Sequence, residues 1–407
     1  MLHFAAPPVV GGVESTIYHH ARLLAEAGYD VHVIAGRGEA FHPNVQFHHL
    51  PEMDSQYPEV LTIGAALASG SLGPEFHSFR DRLSESLSTL LKDIPVCIVH
   101  NAITLHKNLP LTAALHLLNQ TQSTRLIAWC HDFAWLDDLY TPSLHSGYPW
   151  DLLRTPWPDV RYVTVSRHRR EKLAALLDLP EDDIQVVTPG IDLYEFLKLE
   201  PLTRQLVDRL NLTQANPLML LPARITRRKN IEFALQVTAS LTGKTSQPTL
   251  LVTGPPGPHN PKNIAYLQSL KTLRNELGLN EQVNFVYEHG ETDQPLHLPD
   301  EVIADLYRMA DLLLFPSLRE GFGIPVLEAG LARIPVFAAD IPPVRESSGD
   351  FAVLFDPQGD ASAVADEITE HLKNDRAYHL KQRVLEYFTW QRILEKDLIP
   401  LIQHKNQ

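Results

Sequence analysis

The chain of 407 residues is long enough for about two domains of ordinary size, each with a core of its own. Apolar residues make up 44% and charged residues 21%, values that are ordinary for a globular protein and give no sign of disorder. The formal net charge of -14 argues against a general affinity for nucleic acid or for an anionic membrane surface.

The cysteines and the hydropathy indicate a cytoplasmic protein. Only Cys97 and Cys130 occur, both within apolar strand-like runs, so we expect buried reduced thiols rather than a disulfide. No secretory signal and no apolar stretch of about twenty residues is present, so no stable membrane insertion is expected. The sequence leaves the oligomeric state open.

The opening stretch predicts a strand, a glycine loop, a helix and a second strand. Apolar or small residues recur at helical spacing from Val13 to Ala25, Gly28 falls where the helix should stop, and "VHVIAG" follows as a buried strand. Gly11 and Gly12 stand at the strand-to-helix turn, where a helix N-terminus favours an anion, although a tight turn without a ligand would use the same residues. No G-x-G-x-x-G follows, which makes a dinucleotide oxidoreductase the weaker interpretation.

Further strands and helices alternate along the chain. In the first half, strands are predicted at "VQFHHL", "VCIVHNA", "RLIAWCHD" and "YVTVS", with helices over 76–92, 110–119 and 167–178. A second series follows at "LMLLPAR", "PTLLVTG", "QVNFVYEHG", "DLLLFPS", "IPVFAAD" and "AVLFD". The alternation predicts an α/β fold of two Rossmann-like doubly wound domains that face a cleft, with a boundary near residue 195. The segments 51–75 and 133–158 lack clear periodicity. Residues 55–75, 101–108 and 133–157 are predicted loops.

A basic run, "PARITRRKN", directly follows the predicted strand "LMLLPA". Arg224 and Lys229 stand five apart across a turn, so both could converge on one phosphate pair, Arg224 as a fork and Lys229 as a point charge. The alternative is a solvated basic surface. The position at the carboxyl end of a strand, in an acidic protein, favours anion binding.

The stretch "REGFGIPVLEAG" follows another predicted strand and opens a helix. Pro325 fits the first helical position, so the N–H groups of Gly321, Phe322, Gly323 and Ile324 would face an anion. Glu328 lies one turn into the helix, where its carboxylate can accept hydrogen bonds from paired hydroxyls such as those of ribose. The alternative is that Glu328 only complements the helix dipole and that Glu320 is a solvated loop residue.

His131 and Asp132 follow the strand "RLIAWC", and His131 could donate to a sugar hydroxyl or assist proton movement; a structural histidine is an equal alternative. The candidate acceptor contacts lie at the same strand ends and in the aromatic loop: His100, Asn101, Asp132, Trp135 and Tyr140. No H-E-x-x-H, Cys-x-x-Cys or Asp-x-Asp occurs, so neither a metal nor another cofactor is expected.

Taken in order, these stretches resemble the family 4 retaining glycosyltransferases. The resemblance rests on "GGVESTIYHHARLLAEAGYDVHVIAG", "HD" at 131, "TPGID" at 188–192, "PARITRRKN" and the pair Glu320 and Glu328 eight apart, and it spans nearly the whole chain. The first strand has fewer residues before the glycine loop than is usual for the family, and the sequence leaves open whether the N-terminus is complete.

The resemblance implies a GT-B architecture. Residues 1–195 would form an acceptor domain, residues 196–385 a nucleotide-sugar domain, and residues 386–407 a helix that crosses back to the first domain. By the same resemblance Arg224 and Lys229 would hold the diphosphate, Glu328 the ribose, Glu320 the transferred sugar and His131 one of its hydroxyls. Gly11 and Gly12 would close over the phosphates.

The predicted function is hexose transfer from a UDP- or GDP-linked sugar to a hydroxyl of a soluble small-molecule or glycan acceptor. Retention of configuration is implied by the resemblance alone, and a divalent metal is dispensable because cations and helix N–H groups can stabilise the departing diphosphate. The residues expected to carry catalysis are His131, Glu320, Arg224 and Lys229. Two rival interpretations are a sugar-nucleotide epimerase of the same fold and a non-catalytic sugar-nucleotide-binding protein.

Overall fold

The computed structural model describes residues 1–258, 260–290 and 295–403. The chain forms two compact units: an N-terminal unit of Met1–Ile191 with Phe388–Gln407, and a C-terminal unit of Asp192–Tyr387. The boundaries expected from the sequence are residues 195 and 385. In the part of the chain that the structure describes, no helix combines the length and the apolar character needed to cross a bilayer.

The N-terminal unit is built on seven parallel strands. The strands are β1 (Leu2–His3), β2 (Val31–Ala35), β3 (Val45–His49), β4 (Val96–His100), β5 (Arg125–Cys130), β6 (Arg161–Thr164) and β7 (Ile184–Val186). They pair in the order β3-β2-β1-β4-β5-β6-β7. The helices are α1 (Gly12–Glu26), α2 (Pro58–Ala68), α3 (Pro74–Leu91), α4 (Leu109–Thr121) and α5 (Arg167–Leu177). The strand order reverses between β1 and β4, which is the place where such sheets bind ligands.

The C-terminal unit repeats this plan with six parallel strands. The strands are β8 (Leu218–Leu221), β9 (Thr249–Val252), β10 (Val283–Phe285), β11 (Leu312–Phe315), β12 (Val336–Ala339) and β13 (Val353–Phe355), in the order β10-β9-β8-β11-β12-β13. The helices are α6 (Leu193–Leu197), α7 (Pro201–Arg209), α8 (Ile231–Leu241), α9 (Lys262–Glu276), α10 (Asp300–Met309), α11 (Ile324–Ala332), α12 (Pro342–Ser348), α13 (Ala361–Asn374) and α14 (Arg376–Tyr387). Here the order reverses between β8 and β11.

Burial explains why these segments are strands and helices. Every residue of β8, β9, β11 and β12 is buried, as expected for a parallel sheet covered on both faces. Helix α1 buries Ile17, Ala21 and Leu24 in the core that covers β2, as the helical spacing predicts. Cys97 and Cys130 are buried thiols in the neighbouring strands β4 and β5. The prediction of two doubly wound, Rossmann-like α/β domains is confirmed, and the cleft between them stays a prediction.

The C-terminal tail differs from the single helix expected over 386–407. Helix α14 ends at Tyr387, and the chain resumes as α15 (Trp390–Ile393), a π-helix (Leu394–Leu398) and α16 (Ile399–Gln403). The break is explained by a segment remote in sequence, because Ile191 donates its N–H to the Phe388 carbonyl (2.7 Å) and accepts from the Trp390 N–H (3.2 Å). Thr389 pairs with Ile191 in a parallel bridge and is extended (φ -84°, ψ 143°). Residues 404–407 lie outside the described part of the chain.

One predicted loop contains a helix. Residues 55–75 include α2, which begins at Pro58 and buries Val60, Ile63 and Leu67. Their spacing of three and four residues is helical, and proline fits the first turn of a helix, so the sequence itself indicates a helix here. Residues 133–157 contain three short 3-10 helices and no longer element, and strand β7 was not predicted.

Candidate functional site

In the C-terminal unit, the basic run forms a loop that its neighbours hold in place. This cationic loop, residues 222–230, follows β8 and lies beside the chain that leaves β9. Ile225 donates its N–H to the Pro255 carbonyl (2.9 Å). A Cβ at Gly254 would lie 2.3 Å from the Ala223 carbonyl oxygen, so only glycine allows the two backbones to approach this closely. Arg224 is therefore presented from a fixed backbone, and its side chain is exposed without a bonded partner among the described residues.

Lys229 forms a buried ion pair with Glu320. Its Nζ lies 2.6 Å from Glu320 Oε1, and the two side chains are only 8% and 9% exposed. Arg228 Nη1 lies 3.3 Å from the other carboxylate oxygen, and the Lys229 ammonium also lies 4.9 Å from the centre of the Phe315 ring. Burial lowers the pKa of Lys229, while the hydrogen bond that its ammonium donates to Glu320 acts in the opposite direction. Glu320 thus balances the charge of a lysine that water barely reaches.

A second loop, residues 316–323, carries Glu320 and runs beside the cationic loop. We call it the glutamate loop. Strands β8 and β11 pair in parallel, so the loops that follow them leave the same edge of the sheet. Leu318 donates its N–H to the Arg228 carbonyl (2.8 Å), and Arg228 Nη1 donates to the Arg319 carbonyl (3.1 Å). The structure thus brings Glu320 together with Arg228 and Lys229, which belong to a different sequence motif.

The glutamate loop ends in a left-handed glycine that begins α11. Gly323 has φ of +95°, a conformation that glycine adopts without strain, and Ile324 is the first helical residue. Pro325 is therefore the second helical residue rather than the first, and it is tolerated because its missing N–H would have no partner within the helix. No described residue accepts a hydrogen bond from the N–H groups of residues 321–324. These donors are available to an anion, as the sequence predicts.

Glu328 lies one turn into α11 and is held by a tyrosine that the sequence analysis missed. The hydroxyl of Tyr307, on α10, donates to Glu328 Oε2 at 2.7 Å. Tyr307 is buried, and burial together with the neighbouring carboxylate raises its pKa. The Tyr307 hydroxyl is therefore a permanent donor that fixes one carboxylate oxygen. The other oxygen of the exposed Glu328 has no bonded partner among the described residues, so it can accept a bond from a ligand.

In the N-terminal unit, the paired glycines stand at the start of α1. Gly11 is extended (φ -178°) and precedes the helix, and Gly12 is its first residue. A Cβ at Gly12 would meet nothing within 4 Å, so packing within the chain does not require glycine there. The carboxylate of Glu14 lies over Gly11, and its Oε1 is 3.9 Å from His3 Nε2. An anion that bound at this turn would have to displace that carboxylate.

His131 sits at the end of β5 in a turn built by Asn101. The Asn101 side-chain oxygen accepts from the N–H groups of His131 (2.8 Å) and Asp132 (3.2 Å), and Asn101 itself adopts φ of +58°. His131 Nε2 lies 3.2 Å from His100 Nδ1, so one of the two rings donates to the other. Burial, together with the charges of His3 and Arg169, lowers the pKa of His131 to about 3. His131 is therefore neutral at physiological pH.

Three further buried rings, those of His3, His20 and Trp129, lie beside His100. His3 Nδ1 bonds to the His100 carbonyl (2.9 Å), and the His20 ring packs edge-on against Trp129 with centroids 4.8 Å apart. Burial lowers the pKa of His3 to about 4 and that of His20 to about 3, and it places the pKa of His100 well below its usual range. This histidine cluster is neutral near pH 7 and behaves as part of the core.

The predicted acceptor contacts divide into two groups. His100 and Asn101 are fully buried and bond to the chain itself, so the prediction that they touch an acceptor does not fit the structure; they position His131 and Asp132 instead. Asp132 is half exposed and accepts from Arg169 (3.1 Å). Trp135 and Tyr140 are partly buried, and each ring faces a cation. The prediction rests on the position of these residues at the ends of strands, and that position does not indicate whether a side chain is buried.

The remaining predicted residues lie in separate units. Gly11, Gly12 and His131 belong to the N-terminal unit, and Arg224, Lys229, Glu320 and Glu328 belong to the C-terminal unit.

Comparison with known proteins gives a match for each unit. Residues 10–195 match the family model described as "Glycosyltransferase Family 4", and residues 204–387 match "Glycosyl transferases group 1". A mannosylglucosylglycerate synthase of Petrotoga mobilis is 26% identical over 62% of this chain and 61% of its own length. A D-inositol 3-phosphate glycosyltransferase of Frankia alni is 30% identical over 47% of this chain and 44% of its own. The match thus spans about six tenths or less of these relatives.

Among solved structures, a glycosyltransferase of Rickettsia africae shares 16% identity over 99% of this chain and 98% of its own, with a TM-score of 0.36. An Anabaena HepE structure in complex with UDP shares 15% over 99% of both chains, with the same TM-score.

Proposed function

The chain belongs to the group 1 and family 4 glycosyltransferases, and from this premise we propose that it transfers a hexose from a nucleotide-diphosphate sugar to an acceptor hydroxyl. The observation that carries the proposal is the junction of the cationic and glutamate loops at the carboxyl ends of β8 and β11. There a buried lysine, an exposed arginine and four unbonded N–H groups lie on neighbouring loops. Such a set of donors suits a diphosphate.

In the proposed donor complex, Arg224 and Lys229 hold the diphosphate and Glu328 binds the ribose. The N–H groups of residues 321–324 add neutral donors at a helix N-terminus. Glu320, which balances Lys229 in the absence of a donor, accepts hydrogen bonds from the hydroxyls of the transferred sugar. The ammonium of Lys229 has three N–H donors, so it can bond to a phosphate while it keeps its bond to Glu320.

The departing diphosphate gains negative charge as its bond to the sugar breaks. Cations and N–H dipoles that already point toward it lower the barrier, because they need no reorganisation during the reaction. We propose that Arg224, Lys229 and the helix N-terminus supply this stabilisation and that activity does not require a divalent ion. Activity in the presence of a chelator tests this point.

We further propose that the sugar keeps its anomeric configuration. The acceptor oxygen attacks the anomeric carbon on the face that the diphosphate leaves, the acceptor proton passes to a departing phosphate oxygen, and the sugar-phosphate bond breaks. His131, neutral at working pH, hydrogen-bonds a hydroxyl of the sugar. The anomeric coupling constant of the product, measured by NMR, would show retention, and a trapped covalent sugar-enzyme adduct would contradict the one-step route.

The first test is thermal unfolding with UDP, GDP and ADP, each with and without chelator. A nucleotide at about one hundred times its dissociation constant should add roughly 2.7 kcal/mol. We expect UDP or GDP to stabilise the protein, the effect to persist in chelator, and Arg224→Ala to abolish it. Arg227→Ala is the matched control, because Arg227 is in the same loop but lies beside Glu232 and Tyr266. If no nucleotide stabilises the protein, the proposed donor site is wrong.

Product analysis separates the proposal from its two rivals. A transferase releases nucleotide in proportion to glycosylated acceptor. An epimerase would convert the donor into an isomer without release of nucleotide, and a sugar-nucleotide-binding protein would keep its function in Glu320→Ala and His131→Ala. We propose a soluble acceptor and a cytoplasmic location, in line with the acidic charge of the chain.

A further inference from the structure

Three consecutive basic residues, Arg227, Arg228 and Lys229, form one 3-10 turn of the cationic loop. Arg227 leaves this turn toward Tyr266, and its guanidinium carbon lies 5.0 Å from the centre of that ring. The other two reach the carboxylate of Glu320, one at each oxygen. The proposed diphosphate site uses Lys229, so a second cation at the same carboxylate requires its own explanation.

Arg228 contacts three consecutive residues of the glutamate loop. Its carbonyl accepts from the N–H of Leu318 (2.8 Å), and its Nη1 donates to the carbonyl of Arg319 (3.1 Å). The same nitrogen donates to Glu320 Oε2 (3.3 Å). Arg228 therefore holds both the backbone that leads to Glu320 and one oxygen of its carboxylate.

The chain on the other side of Glu320 provides little support of this kind. Gly321 follows directly, and Gly323 has φ of +95°; glycine has the widest backbone freedom of any residue. A Cβ at Gly321 would meet nothing within 4 Å, so no neighbouring atom packs against the backbone there. The terminal torsion of a glutamate is also broad, so a carboxylate held at one oxygen can rotate. A bond to each oxygen fixes its plane.

The two cations differ in what they contribute to Glu320. Lys229 is 8% exposed and lies 2.6 Å from Oε1, so it balances the charge of the carboxylate. Arg228 is 47% exposed and makes the longer bond, and ion pairs that water reaches contribute little to stability. Its main effect is therefore on orientation. An ionised carboxylate has about four lone-pair positions, so the two cations leave others for hydroxyl groups.

We infer that Arg228 is a positioning residue for the transferred sugar: it holds the Glu320 carboxylate in the orientation that accepts hydrogen bonds from two neighbouring hydroxyls of the hexose. The inference rests on the proposed transferase function. Arg228 acts through Glu320 and contacts neither the nucleotide nor the diphosphate. Its loss should weaken binding of a ligand that carries the sugar and spare a ligand that ends at the diphosphate.

The experiment is calorimetry of the full chain with a nucleotide and its matching nucleotide sugar. The probes are UDP with UDP-glucose, GDP with GDP-mannose and ADP with ADP-glucose, and the pair whose nucleotide binds the wild-type chain is used. Arg228→Met should weaken binding of the nucleotide sugar about tenfold, the loss of one charge-assisted bond, and change binding of the nucleotide less than about twofold. Arg228→Lys keeps a cation and should reduce the loss to about threefold. Arg227→Met, in the same turn, is the matched control and should change neither affinity.

A double variant tests whether Arg228 acts through Glu320. Glu320→Gln removes the carboxylate and keeps the size of the side chain, so Arg228→Met in that background should weaken nucleotide-sugar binding by less than about a further twofold. Hydrogen exchange of the β11 amides, compared between wild type and Arg228→Met, reports whether the strand before the glutamate loop stays folded.

Three results would overturn the inference: an equal loss of affinity for the nucleotide and the nucleotide sugar, an unchanged affinity for both, or full additivity in the double variant. Equal loss would mean that Arg228 holds the whole donor site, and additivity would mean that it contacts the sugar directly. Each of these results leaves the transferase proposal intact, because the nucleotide still binds the wild-type chain. If no nucleotide binds the wild-type chain, the donor site itself is wrong and this inference falls with it.

Discussion

Removal of Glu320 should destabilise the C-terminal unit more than removal of its partner Lys229. Glu320→Ala leaves a buried ammonium beside Arg228, and breaking a buried pair from one side costs about 3–5 kcal/mol. We expect about 3 kcal/mol, because a lysine whose pKa is already lowered by burial can lose its proton. In Lys229→Met the carboxylate keeps Arg228 at 3.3 Å, so about 1 kcal/mol is expected.

The double variant gives the coupling between the two side chains. With both charges removed, no buried charge is left unpaired, so the double variant should lose about 1 kcal/mol, as Lys229→Met does, which corresponds to a coupling of about 3 kcal/mol. Glu367→Ala on α13, an exposed glutamate, is the control and should change stability by less than about 0.5 kcal/mol.

The assay must report on the correct unit. The five tryptophans all belong to the N-terminal unit, so indole fluorescence does not follow the C-terminal one. Hydrogen exchange of the β11 amides, which lie beside the site, measures the opening free energy directly. If Glu320→Ala costs no more than Lys229→Met, or if the two effects simply add, Glu320 does not neutralise Lys229 and the account of this pair is wrong.

Three further effects are expected. Tyr307→Phe removes the bond that fixes Glu328 and should weaken nucleotide binding about threefold, measured by calorimetry; an unchanged affinity would mean that Glu328 needs no support. Gly254→Ala places a methyl group against the backbone of the cationic loop, so the opening free energy measured by hydrogen exchange should fall by about 2 kcal/mol. An unchanged opening free energy would contradict the close approach of the two backbones. His3 and His20 have folded pKa values of about 4 and about 3, below the unfolded value of 6.5, so the unfolded chain takes up more protons as the pH falls. Burial of the two neutral rings should thus stabilise the N-terminal unit fully above pH 6.5, and this contribution should be lost as the pH falls toward 4. Unfolding of the unit, followed by indole fluorescence, measures its stability at each pH. A stability that does not change with pH would contradict the burial of these rings.

The sequence predicted what depends on local pattern. Buried parallel strands are apolar runs, and turn residues follow them, so both sheets and the loops at Arg224 and Glu320 could be anticipated. Features that depend on packing between distant segments could not be predicted from the sequence. Tyr307 lies on another helix and meets Glu328 only in the folded unit, and His100 occupies a strand end that the surrounding rings bury.

The tail of the chain shows the same limit. Its apolar residues predicted one helix, but the break at residues 388 and 389 arises from hydrogen bonds to Ile191, which is remote in sequence. Helix α2 is different, because the helical spacing of its buried residues and Pro58 at its start could be read from the sequence, and the prediction of a loop there was wrong.

The helices from Trp390 onward pack into the N-terminal unit, although the ribosome makes them after the C-terminal unit. Trp390 stacks on His19 (centroids 4.8 Å apart) and contacts His20, and Arg125 donates to the carbonyls of Leu401 and Ile402. Domains usually fold from the N-terminus as they leave the ribosome. Here the core around His20 stays uncovered until the whole C-terminal unit has been translated. The N-terminal unit, although it is made first, is therefore completed only after the C-terminal unit has been made.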